Sequence, residues 1–139
     1  MIILDACALI AFFDEDDAHH AAAQQLMTAA ADDVLGASPI SLAELLVGPA
    51  RQSRDQVDAM TDALARLEVK DVGFPDDAAV RLALMRAETG LKMPDCCVLL
   101  AADDAGADAV GTFDKPLSRA AKARGFRVRG AIESSPRLK

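Results

Sequence analysis

The sequence predicts an α/β fold with a central, mainly parallel sheet covered by helices on both faces, and three observations carry that prediction. Short apolar runs of strand character alternate with helix-like segments along the whole chain, the order that a parallel sheet with crossover helices requires. The chain has 139 residues, 52 % of them hydrophobic, which suits one domain with a substantial core. Four acids, Asp5, Glu44, Asp95 and Asp114, each sit where a strand-like run ends or just inside the helix-like segment that follows.

The elements follow in order. Ile2-Ile3-Leu4 is a short buried strand, and an apolar helix runs from Ala6 to Phe13 directly after it. A second helix spans Asp17 to Ala31, rich in alanine and so favourable in propensity. Val34 to Ala37 reads as a strand. Ser38-Pro39 then offers a capping hydroxyl and a proline at the first helical position; that helix runs to about Val47, where Gly48-Pro49 stops it. From Arg54 to Leu67 the residues Val57, Met60, Leu64 and Leu67 recur at the spacing of one helical face. Val69 to Phe74 is the next strand, Asp76 to Glu88 a helix closing at Gly90, and Pro94 to Asp103 a largely apolar, buried helix. Ala109 to Thr112 is a strand, Pro116 to Arg124 a helix with Gly125 beyond it, and Phe126 to Val128 a final short strand. No repeat or low-complexity linker interrupts the chain, so residues 1–139 read as a single domain with 130–139 as a C-terminal tail.

Several function classes fall away on composition. No apolar run is long enough to cross a bilayer, and the N-terminus lacks the basic region of a signal peptide, so a soluble cytoplasmic protein is expected. Cys7, Cys96 and Cys97 are odd in number, lack C-x-x-C spacing and lie in apolar stretches, where cysteine behaves as a small hydrophobe; neither a disulfide framework nor a zinc site is expected. The net charge of −7 is divided along the chain. Residues 115–139 hold Lys115, Arg119, Lys122, Arg124, Arg127, Arg129, Arg137 and Lys139 against Glu133 alone, so the body before them is strongly acidic. An acidic body discourages indiscriminate binding to phosphate backbones, while the basic stretch offers Lys115, Arg119 and Lys122 as contacts for one.

In parallel sheets ligands bind outside the carboxyl ends of the strands, where the topology switches direction. Asp5 and Asp114 follow strands closely, Glu44 lies two turns into a helix, and Asp95 begins one. Taken singly, Asp5 and Asp114 suit helix caps and Asp95 suits a helix N-terminus. Glu44 fits Ser-x-x-Glu with Ser41, but Ser38-Pro39 is the better helix start and leaves Glu44 without a capping duty. These separate roles do not explain four acids meeting at one sheet edge, where they offer a hard-cation site of oxygen ligands.

The segments Ile3-Leu4-Asp5-Ala6-Cys7-Ala8-Leu9-Ile10, Ser38-Pro39-Ile40-Ser41-Leu42-Ala43-Glu44, Met93-Pro94-Asp95 and Gly111-Thr112-Phe113-Asp114 together resemble the PIN-domain ribonucleases, specifically the VapC-type toxins of bacterial toxin–antitoxin pairs. The resemblance covers roughly Met1 to Arg129; no single motif is specific, but their order and spacing are. It implies a PIN-like three-layer α/β/α fold and a metal-dependent endoribonuclease. Asp5, Glu44, Asp95 and Asp114 would be the quartet binding Mg2+ or Mn2+, with Thr112 and, more weakly, Ser38 as polar neighbours. It also implies a structured RNA substrate such as a transfer RNA or ribosomal RNA loop, a cognate VapB-type antitoxin, inhibition of translation and a homodimer. One departure matters: many members carry a further acid at the place of Pro116, so a second metal would be held weakly or only with RNA phosphate completing its shell.

The expected chemistry is in-line attack of water on an RNA phosphodiester, with Asp5, Asp95 and Asp114 as ligands and Glu44 a further ligand or water-orienting base. His19 and His20 read as surface residues. With no Trp or Tyr and only five Phe, RNA shape and phosphates should matter more than base stacking. Two other classes compete. A phospho-receiver domain would need an acid after its central strand, and Gly73-Phe74-Pro75 stands against it. A catalytically inactive PIN-like interaction module would share every motif, and metal-dependent cleavage separates it from the enzyme.

Overall fold

The first strand, β1 (Ile2–Leu4), is completely buried and lies at the centre of a five-stranded sheet ordered β3-β2-β1-β4-β5. A computed structural model describes residues 1–130, so the expected tail lies, but for its first residue, outside the described residues. The other strands are β2 (Leu35–Ala37), β3 (Val69–Asp71), β4 (Ala109–Gly111) and β5 (Arg127–Arg129). All four pairings are parallel, with Ile3 opposite Gly36 on one side and Val110 on the other.

The helices are α1 (Ala6–Phe13), α2 (His20–Ala29), α3 (Pro39–Gln52), α4 (Arg54–Arg66), α5 (Ala78–Thr89), α6 (Met93–Ala105) and α7 (Lys115–Ala123). They form two layers because successive β1 side chains point to opposite faces. Ile2 and Leu4 join Leu9, Leu26, Leu45 and Leu64 in a core under α1 to α4. Ile3 joins Met85, Leu99, Val110 and Leu117 in a second core under α5 to α7. The result is the expected three-layer α/β/α architecture with a wholly parallel sheet. α6 has seven consecutive buried residues, Cys96 to Ala102, as befits a helix covered nearly all round.

Some boundaries depart from the sequence reading. α3 continues through Gly48-Pro49 to Gln52 instead of stopping at Val47. A proline inside a helix loses one hydrogen bond and costs about 3 kcal/mol by propensity. The apolar face of α3, anchored by buried Leu45, outweighs that cost, and the helix stops only at Ser53. The Ser53 hydroxyl accepts from Gln56 N–H and starts α4. α2 begins at His20, not Asp17, because Asp14 and Asp17 accept from the N–H groups of Asp16 and His19 and hold the chain in turns. β3 is an edge strand ending at Asp71; Val72 N–H makes one more bond to Ala37, and the chain then leaves at Gly73 and Pro75. α5 and α6 close on Gly90 and Gly106 with φ of +71° and +62°, values that suit a residue without Cβ.

Among the described residues no helix is long and apolar enough to cross a membrane.

Leu99 is fully buried, whereas Leu84 on α5 is 66 % exposed. Leu99→Ala should lose roughly 2–5 kcal/mol in urea unfolding. Leu84→Ala should stay within about 0.5 kcal/mol of the parent. Equal losses at the two positions would contradict the layer assignment.

Candidate active site

The strand order places the topological switch between β1 and β4. After β1 the chain moves outward through β2 to β3, then returns to the other side of β1 with β4. The crevice outside the carboxyl ends of β1 and β4 is where such a sheet binds ligands. Asp5 follows β1 immediately and Asp114 follows β4 by three residues.

Asp5 is only 4 % exposed. It caps α1 by accepting from Ala8 N–H at 2.9 Å through Oδ1. Its Oδ2 accepts from the Thr112 hydroxyl, and the Cys7 thiol donates to both oxygens at 3.0 and 3.1 Å. Thr112, fully buried, accepts in turn from Asp114 N–H at 3.0 Å, so one hydroxyl ties the two acidic turns together. Asp114 caps α7: its Oδ2 accepts from Leu117 N–H at 2.9 Å. Asp95 sits in the first turn of α6 after Pro94, and Glu44 stands exposed in the second turn of α3.

A cleft of about 310 Å³ is lined by all four acids together with Cys7, Ile10, Ser41, Lys92, Pro94 and Val98. Convergence shows in the charges. Burial, then repulsion from Asp114, Asp5 and Glu44, pushes the Asp95 carboxyl up to about 6, with Lys92 opposing. Burial also raises Asp5 despite its hydrogen bonds, and Asp114 adds to the rise. Loss of water around the sulfur, then the Asp5 carboxylate, pushes the Cys7 thiol up to about 12, so Cys7 serves as a hydrogen-bond donor and not as a nucleophile.

Among the described residues no three His, Cys, Asp or Glu side chains close into a ready-made metal cage. The acids form an open set instead. Their donor chemistry still suits a hard cation, since magnesium keeps several waters and draws on only one or two carboxylates plus substrate phosphate.

The expected neighbours divide. Thr112 touches Asp5, but the buried Ser38 hydroxyl is taken up capping α3, where it accepts from Ile40 N–H, and Ser41 lines the cleft in its place. Lys115, Arg119 and Lys122 are exposed on α7 and outside the cleft wall; Arg119 lines a separate groove of about 740 Å³. Lys92 and Cys7 were missed. Lys92 follows Leu91 with no motif to mark it, and treatment as a small hydrophobe fits buried Cys96 and Cys97 but not Cys7, whose thiol meets the Asp5 carboxylate beside the cleft. Its position two residues after Asp5, in the first turn of a helix that Asp5 caps, was the available signal.

The model of the PIN domain family matches residues 2–123. The chain belongs to the PIN domain family. Its PIN fold is shared with solved structures at low sequence identity. A toxin–antitoxin complex from Klebsiella pneumoniae superposes with a TM-score of 0.71 at 21 % identity, covering 95 % of this chain and 96 % of that one. VapC20 of Mycobacterium tuberculosis, described as a sarcin-ricin-loop-cleaving toxin, gives 0.67 at 24 %, covering 98 % and 100 %. VapBC2 of Rickettsia felis, bound to a DNA fragment from its promoter, gives 0.67 at 18 %, covering 93 % and 98 %. Among curated proteins none matches the chain in sequence.

The raised Asp95 carboxyl makes stability depend on pH. A carboxyl whose folded value exceeds its ordinary 3.8 binds protons better when folded, so Asp95 costs stability above about 6 and ceases to do so below about 4. Solvent at this half-buried side chain reduces the cost to on the order of 1 kcal/mol. In EDTA, Asp95→Asn should therefore raise urea stability at pH 7 by that amount, and the gain should fade as pH falls from 6 to 4. A gain of the same size across that range would contradict the repulsion.

Proposed function

We propose that this PIN-domain protein is a metal-dependent endoribonuclease that hydrolyses RNA phosphodiester bonds, the toxin of a type II toxin–antitoxin pair that acts in the cytoplasm and inhibits translation. The observation that carries the reading is the convergence of Asp5, Glu44, Asp95 and Asp114 on one cleft at the switch point of the sheet. Asp5, Asp95 and Asp114, with Glu44, would hold Mg2+ or Mn2+. A divalent cation bound there neutralises the carboxylates, acidifies water and stabilises negative charge on the scissile phosphate.

The protein's own groups supply the rest. Thr112 fixes the Asp5 carboxylate through its hydroxyl and the Asp114 turn through its oxygen, so the two acids hold their spacing. Glu44, exposed and lining the cleft, would either complete the ligand set or orient the attacking water as a base. Lys92, on the cleft wall, meets the charge of the phosphate.

The substrate in this reading is a structured RNA, transfer RNA or a ribosomal RNA loop; the name given to VapC20, which cleaves the sarcin-ricin loop, supports that class. The partner is a VapB-type antitoxin, in keeping with the toxin–antitoxin complexes that share the fold. A groove of about 420 Å³, lined by Phe13, Leu45, Pro49 and Met60 together with Asp14, Gln52 and Gln56, shares Ile10 and Glu44 with the acidic cleft. A partner segment lying there would bring a basic side chain to the acids. Exposed Val80 and Leu84, one turn apart on α5, offer apolar surface to a second copy in a homodimer. The open carboxylate set and Pro116 favour one rival, an inactive interaction module on the same fold.

Cleavage decides between them. Purified protein free of antitoxin should cut total bacterial RNA at discrete sites in Mg2+ or Mn2+ and not in EDTA. Asp5→Asn and Asp95→Asn should each lower the rate more than about a hundredfold, and Thr112→Val roughly ten- to a hundredfold. Absence of cutting by the wild type would favour the inactive module, and cutting unaffected by EDTA and by both Asn variants would overturn the site.

A further inference from the structure

We propose that His19, backed by Phe113, is a stacking platform for an unpaired nucleobase of RNA lying across the acidic cleft. The proposal deepens the nuclease reading and rests on it for the identity of the ligand.

The two rings lie nearly parallel, 8° apart, with centroids at 4.9 Å. Phe113 stands between Thr112 and Asp114, so the pair is carried by the same turn that presents an acid to the cleft, although neither ring lines the cleft wall. The turn is pinned. Thr112 bonds Asp5 and receives the Asp114 N–H, and Gly130 passes so close to the Phe113 ring edge that a Cβ there would lie 3.0 Å from Cε1. The His19 backbone is held from its own side, where its main-chain N–H donates to Asp17 Oδ1 at 2.8 Å, and ring Nδ1 lies 3.8 Å from the same oxygen. With one face on Phe113, 51 % of the His19 side chain remains open to solvent. Its neighbour His20 is instead committed inward, with Nδ1 at 2.8 Å from the Ala11 carbonyl oxygen.

An ordered ring with an open face is uncommon in a chain this poor in aromatics, and nothing in the core requires it. Bases stack on aromatic and imidazole faces with little sequence preference, and a pre-ordered ring loses little freedom in doing so. The surroundings make such a contact useful. A cleft of four carboxylates repels a phosphate backbone, whereas the uncharged face of a base suffers no such repulsion. Lys115, exposed directly after Asp114, lies on the same turn for the adjoining phosphate.

Short oligouridines carrying 2-aminopurine at successive positions test this in EDTA, where metal-dependent cutting is absent. Stacking quenches 2-aminopurine fluorescence. The wild type should quench at one position of the strand; His19→Ala should abolish that quench and weaken binding roughly tenfold or more, and His19→Tyr should retain both. Equal quenching and affinity in His19→Ala, or no quench at any position in the wild type, would overturn the platform. Cleavage of total RNA in Mg2+ separates the two ideas. Cutting with quenching independent of His19 removes the platform and leaves the nuclease; His19-dependent quenching without cutting retains the platform and removes the nuclease.

Discussion

A carboxylate buried at the carboxyl end of the central strand constrains everything around it. Asp5 has almost no contact with solvent, and charge in such a place is costly unless hydrogen-bonded or paired. Its donors are the Ala8 amide, the Cys7 thiol and the Thr112 hydroxyl, and none carries positive charge. They do not offset burial, and Asp114 adds repulsion, so the Asp5 carboxyl stays above its ordinary range. Asp95 feels the same neighbours. Lys92 is the one cationic side chain on the cleft wall among the described residues, and it only partly opposes this charge. The unbalanced negative potential is the physical basis for assigning a cation to the cleft.

The fold supplies part of the remedy. Asp5 caps α1, Asp114 caps α7, and Asp95 occupies the first turn of α6, so three helix N-termini converge on one crevice. Each contributes a partial positive charge and unpaired N–H groups, which favour anionic groups at that end. The capping roles and the site are therefore one arrangement. A carboxylate spends one oxygen on its helix, and Asp114 keeps Oδ1 without a hydrogen bond among the described residues. The open set leaves room for water and phosphate oxygens, which a closed cage would exclude.

Much of this was legible in the chain because the signals were local. Continuous apolar runs of three or four residues marked strands buried on both faces, and Ser38-Pro39, Gly90 and Gly125 marked helix boundaries. Asp5, Glu44 and Asp114 were visible because each stands near the end of such a run or in the helix after it, and parallel topology brings those ends together, whereas Asp95 follows helix α5 and joins them from the N-terminus of α6. What failed was decided by tertiary contacts. Gly48-Pro49 stops an isolated helix, yet α3 passes through it because its apolar face is held. Ser38 read as a neighbour of the acids but is consumed by its cap. Lys92, Ser41 and Cys7 reach the cleft through helix orientation, which spacing alone does not specify. The His19–Phe113 pair joins residues far apart in the chain, and no pattern within either segment announces it.

If a divalent cation completes this carboxylate cluster, the urea stability of metal-stripped protein titrated with Mn2+ at neutral pH will register it. A ligand that binds only the folded state stabilises it by about 2.7 kcal/mol at a hundred times its Kd. Wild-type stability should climb with Mn2+ in that logarithmic form, and the response should collapse in Asp5→Asn. Superimposable unfolding curves with and without Mn2+, from wild-type protein at neutral pH, would contradict the assignment of a cation to the cleft.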